Sequence, residues 1–384
     1  MGRSVAVIDG RQFLMIGRHH HSPSFICHET HNSQEVEGTL MDNSIYQRID
    51  TLTHRILDGG EISAEEGRWM IRLDHDYLPW LMAGADRIRK TFRGDEIEVC
   101  AISNVRSGNC SENCSFCGQS GHHQTSAPKY NYIPAEQLAS QARRAREWGA
   151  SDFGVVSKGW GVRGDKERAQ LREYFDAMEQ HSDIGRCASL GALDKDTAVM
   201  LKEMGMENYH HNLETAESFF HNVCTTHSYQ ENIDTIRNAV DAGLRVCAGG
   251  ILGMGESLDQ RIELAEALRN LKVESVPLNF LNPIDGTPMG KQQPMEPMEI
   301  LHMIAVFRYL LPKAEIRIAG GRHFLRDLQA MIFFAGASGI MIGDYLTTKG
   351  RQVDDDLTML DDLKVRPRGD TQQRRAAAGD SAAA

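Results

Sequence analysis

Apolar and polar positions along the chain repeat one unit: an amphipathic helix, a glycine stop and a short apolar run. Pro134 suits a first helical position, and Leu138, Ala142, Ala145 and Trp148 then mark one helical face. Gly149 stops that helix, and Phe153 to Val156 reads as a strand. The unit recurs as a helix ending near Gly205 before Met206 to Asn212. Ser228 and Glu231 form a capping box, after which Ile233, Ile236 and Val240 are expected to be buried. Gly243 ends that helix, and Leu244 to Cys247 is the next strand. Helices near 258–270 and 297–311 precede the apolar stretches Ser275 to Leu281 and Glu315 to Ala319. Gly336 ends the last clear helix, before Gly339 to Ile342.

Counting from Ile97 to Asn104, about eight strands alternate with helices. That arrangement gives a parallel sheet, and eight strands close a (β/α)8 TIM-type barrel with function at the carboxyl ends of its strands. The barrel is expected over 96–363, and 41–95 reads as N-terminal helices packed on it. Residues 1–40 lack a clear period and are expected to be a poorly ordered extension. In it, His19, His20 and His21 suit either a metal or a solvated tail, and Cys27 is incidental. Residues 364–384 read as a disordered tail, rich in Arg, Gln and Ala.

Composition narrows the function. The formal charge of −11 argues against nucleic acid or an anionic membrane as partner. No apolar run reaches the ~20 residues needed to span a bilayer, and the first residues lack a secretion pattern, so the expected location is cytoplasmic. Eight cysteines in such a chain suggest metal or redox work rather than a disulfide frame.

Three of them, Cys110, Cys114 and Cys117, form a C-x3-C-x2-C run directly after the first strand. Three thiolates from one loop can hold three irons of a cubane cluster and leave the fourth without a protein ligand. A zinc loop completed by His122 or His123 is the alternative, and would make a non-enzymatic protein. Cys100, Cys187 and Cys247 fall on the first, third and fifth strands, and Cys224 follows the fourth. Each alone is compatible with a buried small hydrophobe; together they suggest inward thiols around a second cluster.

The cysteine loop resembles that of the radical S-adenosylmethionine (SAM) enzymes, in which the open iron chelates SAM. From about residue 60 to 360 the chain resembles the biotin synthase family. SGNCSENCSFCGQS, YHHNLETA, TTHSYQENIDTI, RVCAGGILGMGE, ESVPLNFLNPIDGTP and EIRIAGGR carry the resemblance, in order. It implies a [4Fe–4S] cluster with SAM on Cys110, Cys114 and Cys117, and a second, auxiliary iron–sulfur cluster deep in the barrel. It also implies dethiobiotin as substrate, a flavodoxin or ferredoxin-type electron donor, and a homodimer.

For the auxiliary cluster, Cys187, Cys247 and Arg317 match three ligands. Arg317 reads equally as a charge partner, since a guanidinium stays protonated. The cysteine expected on the second strand is Gly154 here, so Cys100 and Cys224 are the substitutes, in a [2Fe–2S] or larger cluster. Asn212 and Glu214 match positions that contact the SAM ribose, and Asn279 one that binds the ureido ring of the substrate. His210 stands where a second such Asn is common; a packing role is the alternative. Gly253 to Glu256 (GMGE) lacks the third glycine of a dinucleotide fingerprint and reads as a tight turn. Lys158 and Trp160 are loop candidates near the cofactor. Other radical SAM barrels, of the hydrogenase-maturase or methylornithine-synthase type, are the nearest rivals.

Overall fold

The computed structural model describes residues 4–8, 11–15 and 42–369. His19 to His21, Cys27 and the tail beyond Gly369 lie outside them. Ser4–Ile8 and Arg11–Met15 pair as an antiparallel hairpin, in a unit separate from the rest of the chain.

The eight expected strands are present. They are β1 (Glu96–Arg106), β2 (Asp152–Ser157), β3 (Gly185–Ser189), β4 (Asn208–His210), β5 (Arg245–Cys247, resuming as Gly250–Leu252), β6 (Ser275–Phe280), β7 (Glu315–Ile318) and β8 (Gly339–Met341). Each pairs in parallel with its neighbours, and β8 pairs with β1, which closes the ring. β5 breaks at Ala248–Gly249. A side chain at Gly249 would collide with the Pro277 carbonyl, its Cβ falling 2.0 Å from that oxygen, so only glycine lets β5 pass β6 there.

Alternation along β2 shows how the barrel is filled. Phe153 and Val155 pack outward against helices, while Asp152, Gly154 and Val156 face the interior. Capping boxes start the helices at Ala64, Tyr229 and Leu258, each worth about 1 kcal/mol.

Asn43–Leu57, Ala64–Met70 and Leu78–Arg93 pack against the helix Pro297–Leu310, which is buried from Ile300 onward. Thr53 Oγ1 and the Tyr309 hydroxyl lie 2.6 Å apart, and His302 Nε2 meets the Met70 carbonyl at 2.8 Å. Arg308, fully buried in that helix, donates to the carbonyls of Gly336, Pro312 and Ala314.

Three expectations change. Val240 is 51% exposed; Asn232, Thr235, Ile236 and Ala239 form the buried face of Tyr229–Asp241. Two polar side chains take that face because they have partners there. Asn232 Oδ1 meets His211 Nε2 at 2.9 Å, and Thr235 Oγ1 accepts from the Leu193 amide. An apolar count cannot register polar positions held by such partners. Residues 364–369, expected to belong to a disordered tail, are structured. Arg366–Pro367 pairs with Glu96–Ile97, and Arg368 binds Glu315 at 2.8 Å. Finally, Gly164–His181 and Val353–Asp362 are helices outside the expected set.

Candidate active site

A cavity of about 310 Å3 runs down the barrel from the loop after β1 to a floor of thiols and charges. At the rim, the three-cysteine loop is tied to itself. The Cys110 amide donates to the Gln119 carbonyl, the Gly121 amide to the Cys110 carbonyl, and the Cys117 amide to the Cys114 carbonyl. Gly108 and Asn109 turn with positive φ to start it. Lys158, expected near the cofactor, donates from Nζ to the Asn109 carbonyl at 3.1 Å and so braces the same loop. His122 and His123, the zinc alternative's fourth ligands, place Nε2 against the carbonyls of Ser111 and Cys114, at 2.9 and 3.1 Å. Both imidazoles hold loop backbone at those nitrogens.

The segment after β4 clamps this loop from the other side. The Ser115 amide donates to the Val223 carbonyl, and Asn113 exchanges hydrogen bonds with Thr225. Here lies the correction to Cys224. Its sulfur is 3.8 Å from Cys114 Sγ, at the rim, and it does not line the cavity. The loop after β4 sets Cys224 beside the rim thiol of Cys114 instead of with Cys187 and Cys247. Its neighbours are Asn113, Thr226 and His227, with Glu112 bonded to the last two at 2.6 and 2.8 Å. Trp160, the other loop candidate, stacks on His227 at 3.8 Å.

The floor is assembled by strand register. Cys100 pairs with Asp152, Gly154 with Cys187, Cys187 with Asn208, and His210 with Cys247. Cys100, Cys187, Cys247 and Arg317 all line the cavity. Arg317 Nη1 donates to Cys247 Sγ at 3.4 Å, and its Nη2 pairs with Glu98 at 2.9 Å. Cys187 Sγ receives Asn208 Nδ2 at 3.2 Å and lies 3.7 Å from Asp152 Oδ1. Burial pushes the Cys100 thiol up to about 12, with Arg317 opposing, and raises Cys187 and Cys247 as well. At Gly154, a Cβ would fall 3.0 Å from Ile102 Cγ2, so Ile102 occupies the flank of the missing side chain.

Between rim and floor sit the remaining candidates. Asn212 Nδ2 donates to Glu214 at 3.3 Å, and Asn212 Oδ1 accepts from the Gly249 amide. Burial lifts Glu214 to about 7, opposed by the nearby His210. Burial lowers His210 to about 4, so it is neutral near pH 7. Asn279 has both ends of its amide engaged, Nδ2 donating to the Gly250 carbonyl and Oδ1 accepting from the Gly320 amide. One N–H and one lone pair are left to face the cavity. The GMGE turn closes on itself, with the Gly253 and Met254 amides donating to Glu256.

Glu98, Asp152, Asn208, Glu112 and His227 were not singled out in the sequence. Asp152 had a signal: it lies two residues from Gly154, on the same face of the strand. The others are brought in by partners distant in the chain.

Residues 104–268 match the radical SAM superfamily and 277–366 the Biotin and Thiamin Synthesis associated domain. The chain is 46% identical to biotin synthase of Syntrophotalea carbinolica, over 84% of this chain and 98% of that one. It is 48% identical to biotin synthase of Geotalea daltonii, over 83% and 97%. The chain belongs to the biotin synthase family. As a member of that family and of the radical SAM superfamily it is an enzyme, and the superfamily implies a [4Fe–4S] cluster with SAM.

Solved structures share the biotin synthase family chain's fold. Methylornithine synthase superposes with a TM-score of 0.73 at 17% identity, over 85% of this chain and 99% of that one. The FeFe-hydrogenase maturase HydG from Carboxydothermus hydrogenoformans gives 0.69 at 18%, over 84% and 79%. At that identity the likeness to these two rivals is one of fold alone. No helix among the described residues is long and apolar enough to cross a membrane.

Proposed function

We propose that the chain converts dethiobiotin to biotin by inserting sulfur, with a SAM-binding [4Fe–4S] cluster at the rim and an auxiliary iron–sulfur cluster on the floor. The observation that carries this is the vertical order within one cavity. The loop that carries the three rim thiols reaches the cavity through Phe116, and Asn212, Glu214, Asn279, Cys100, Cys187, Cys247 and Arg317 line it below.

Both donor sets suit their groups. At the rim, the loop's backbone bonds hold three thiols from one turn, and none of the three is in a disulfide. On the floor, Arg317 Nε is buried with no hydrogen-bond acceptor among the described residues, which suits an acceptor brought by a bound anionic group. Three soft sulfur donors around it favour iron–sulfur over a hard cation. Gly154 removes one ligand of the usual two-iron arrangement, and Cys100 replaces it from the neighbouring strand. Cys224 is left out of this set on geometry.

When bound, the clusters and SAM supply the radical and the sulfur. The protein's own work is placement. Asn212 and Glu214 offer acceptors and a donor to the SAM ribose. Asn279 holds the ureido ring with its remaining N–H and lone pair, and a neutral His210 complements it. Glu98 fixes the Arg317 guanidinium, and Asp152 with Asn208 fixes Cys187. The barrel wall keeps water from the reacting carbon.

An external electron donor of flavodoxin or ferredoxin type, a cytoplasmic location and a homodimer complete the reading. The test is anaerobic reconstitution with iron, sulfide and SAM, followed by mass spectrometry of products from dethiobiotin. Biotin is expected; 5′-deoxyadenosine without biotin would overturn the substrate.

A further inference from the structure

The cavity continues past the floor thiols to the amino-terminal ends of the strands, where residues of such barrels ordinarily serve stability alone. Side chains alternate along a strand, so Arg245 faces the same way as Cys247, about 7 Å below it on β5. Arg245 lines the cavity, yet its side chain is 48% exposed. The two sides of this end differ. Below β7, the buried Glu315 is held by Arg93, which ends the helix Leu78–Arg93, and by Arg368 of the C-terminal segment. Below β5 and β6, Arg245 meets Glu274 at 3.5 Å, and both side chains are exposed. An exposed pair of this kind contributes little and opens readily. Inward from Arg245 the lining passes to Asn208, its register partner on β4, and to Ser275 on β6. Asn208 Nδ2 donates to Cys187 Sγ at 3.2 Å, and Ser275 pairs in register with Cys247. One residue therefore separates Arg245 from the floor thiols.

We propose that the cavity has a second mouth at Arg245, through which inorganic sulfide reaches the floor. Hydrosulfide is a small anion, and a guanidinium that stays protonated at an exposed mouth raises its local concentration. The weak pairing with Glu274 leaves that guanidinium free to attract it. Sulfur taken from the floor group for each product has to be replaced, and supply from below leaves SAM and substrate undisturbed above. Delivery transfers no electrons: hydrosulfide gives up its proton as its sulfur joins iron. This rests on the reading that Cys100, Cys187, Cys247 and Arg317 hold an iron–sulfur cluster.

The test is the rate of cluster assembly in full-length chain carrying Cys114→Ala, which removes a rim ligand and leaves the floor to be followed. Ferrous iron is in excess and sodium sulfide limiting, without oxygen, and absorbance, iron and sulfide are measured. In this background Arg245→Glu is expected to assemble roughly threefold or more slowly at low salt, the direction expected of reversed steering, with the difference narrowing at high salt. Arg245→Trp, which fills the mouth, should be slow at either salt. Both should reach the same final iron and sulfide as the Arg245 chain, since the floor ligands are intact. Lys129→Glu reverses an exposed charge beside Gly108 at the rim and should leave the rate unchanged. Unchanged rates in both Arg245 variants would overturn the second mouth. So would equal slowing by Lys129→Glu, because sulfide would then enter from above, or a lowered final content in both Arg245 variants, because the side chain would then be structural. If the Arg245 chain itself gains no floor cluster, the floor assignment falls and takes the second mouth with it.

Discussion

The rim and the floor of the barrel are two cysteine groups built in opposite ways. At the rim, three cysteines fall within eight residues of sequence, and short-range backbone bonds from Cys110 to Gly121 shape the loop. On the floor, Cys100, Cys187, Cys247 and Arg317 come from four strands and meet only because the ring closes in register. The rim takes its shape from local turns, with added clamps from Lys158 and the segment after β4, while the floor depends on the whole barrel. A local loop tolerates changes elsewhere in the chain, while a floor built from register is lost if any strand slips by one residue, because every side chain then changes face.

The largest effect should come from breaking the rim. Cys114→Ala is expected to abolish formation of 5′-deoxyadenosine from SAM under reducing conditions, read by chromatography. Wild-type-like formation would end the rim assignment. Breaking the floor should separate the two functions. Cys187→Ala is expected to lose biotin formation while still cleaving SAM, with iron content falling to that of the rim alone. Cys100→Ala should do the same; if it keeps full iron and full biotin formation, Cys100 is an ordinary core cysteine and Gly154 has another substitute.

A smaller effect is expected between the two regions. Asn279→Ala removes one well-made buried hydrogen bond to the substrate, costing about 1–3 kcal/mol, or roughly 5- to 150-fold in dethiobiotin affinity by calorimetry. Unchanged affinity would remove Asn279 from the substrate site. The smallest concerns Glu214, whose pKa is raised by burial from 4.5 to about 7. The folded chain keeps a proton that the unfolded chain has lost, so Glu214 contributes stability below 4.5 that disappears as pH rises through about 7. The Tm of the metal-free wild type should therefore fall over this range relative to Glu214→Gln. Parallel pH profiles for the two proteins would show that Glu214 is not so perturbed.

Much of this architecture could be read along the chain because it is periodic. The helix–glycine–strand unit announced the barrel, since each glycine stop and each cap is a local demand of the backbone. The capping box at Ser228 and Glu231 is present, while the buried face of the helix it starts is rotated away from Val240. Local chemistry decides where a helix begins; what it packs against decides which side is inside.

The same division holds for the site. The spacing of Cys110, Cys114 and Cys117, and the absence of a side chain at Gly154, are properties of the sequence alone. The placement of Cys224 is not, because it depends on where the loop after β4 comes to rest, more than a hundred residues along the chain from the cysteine it touches. Nor are the roles of Glu98 and Asp152, whose charges become meaningful only once Arg317 and Cys187 arrive beside them on other strands. Turns and spacings are settled by neighbours in sequence. Which thiol meets which, and which carboxylate is buried with a partner, was decided by closure of the barrel, which brings distant strands within hydrogen-bond reach.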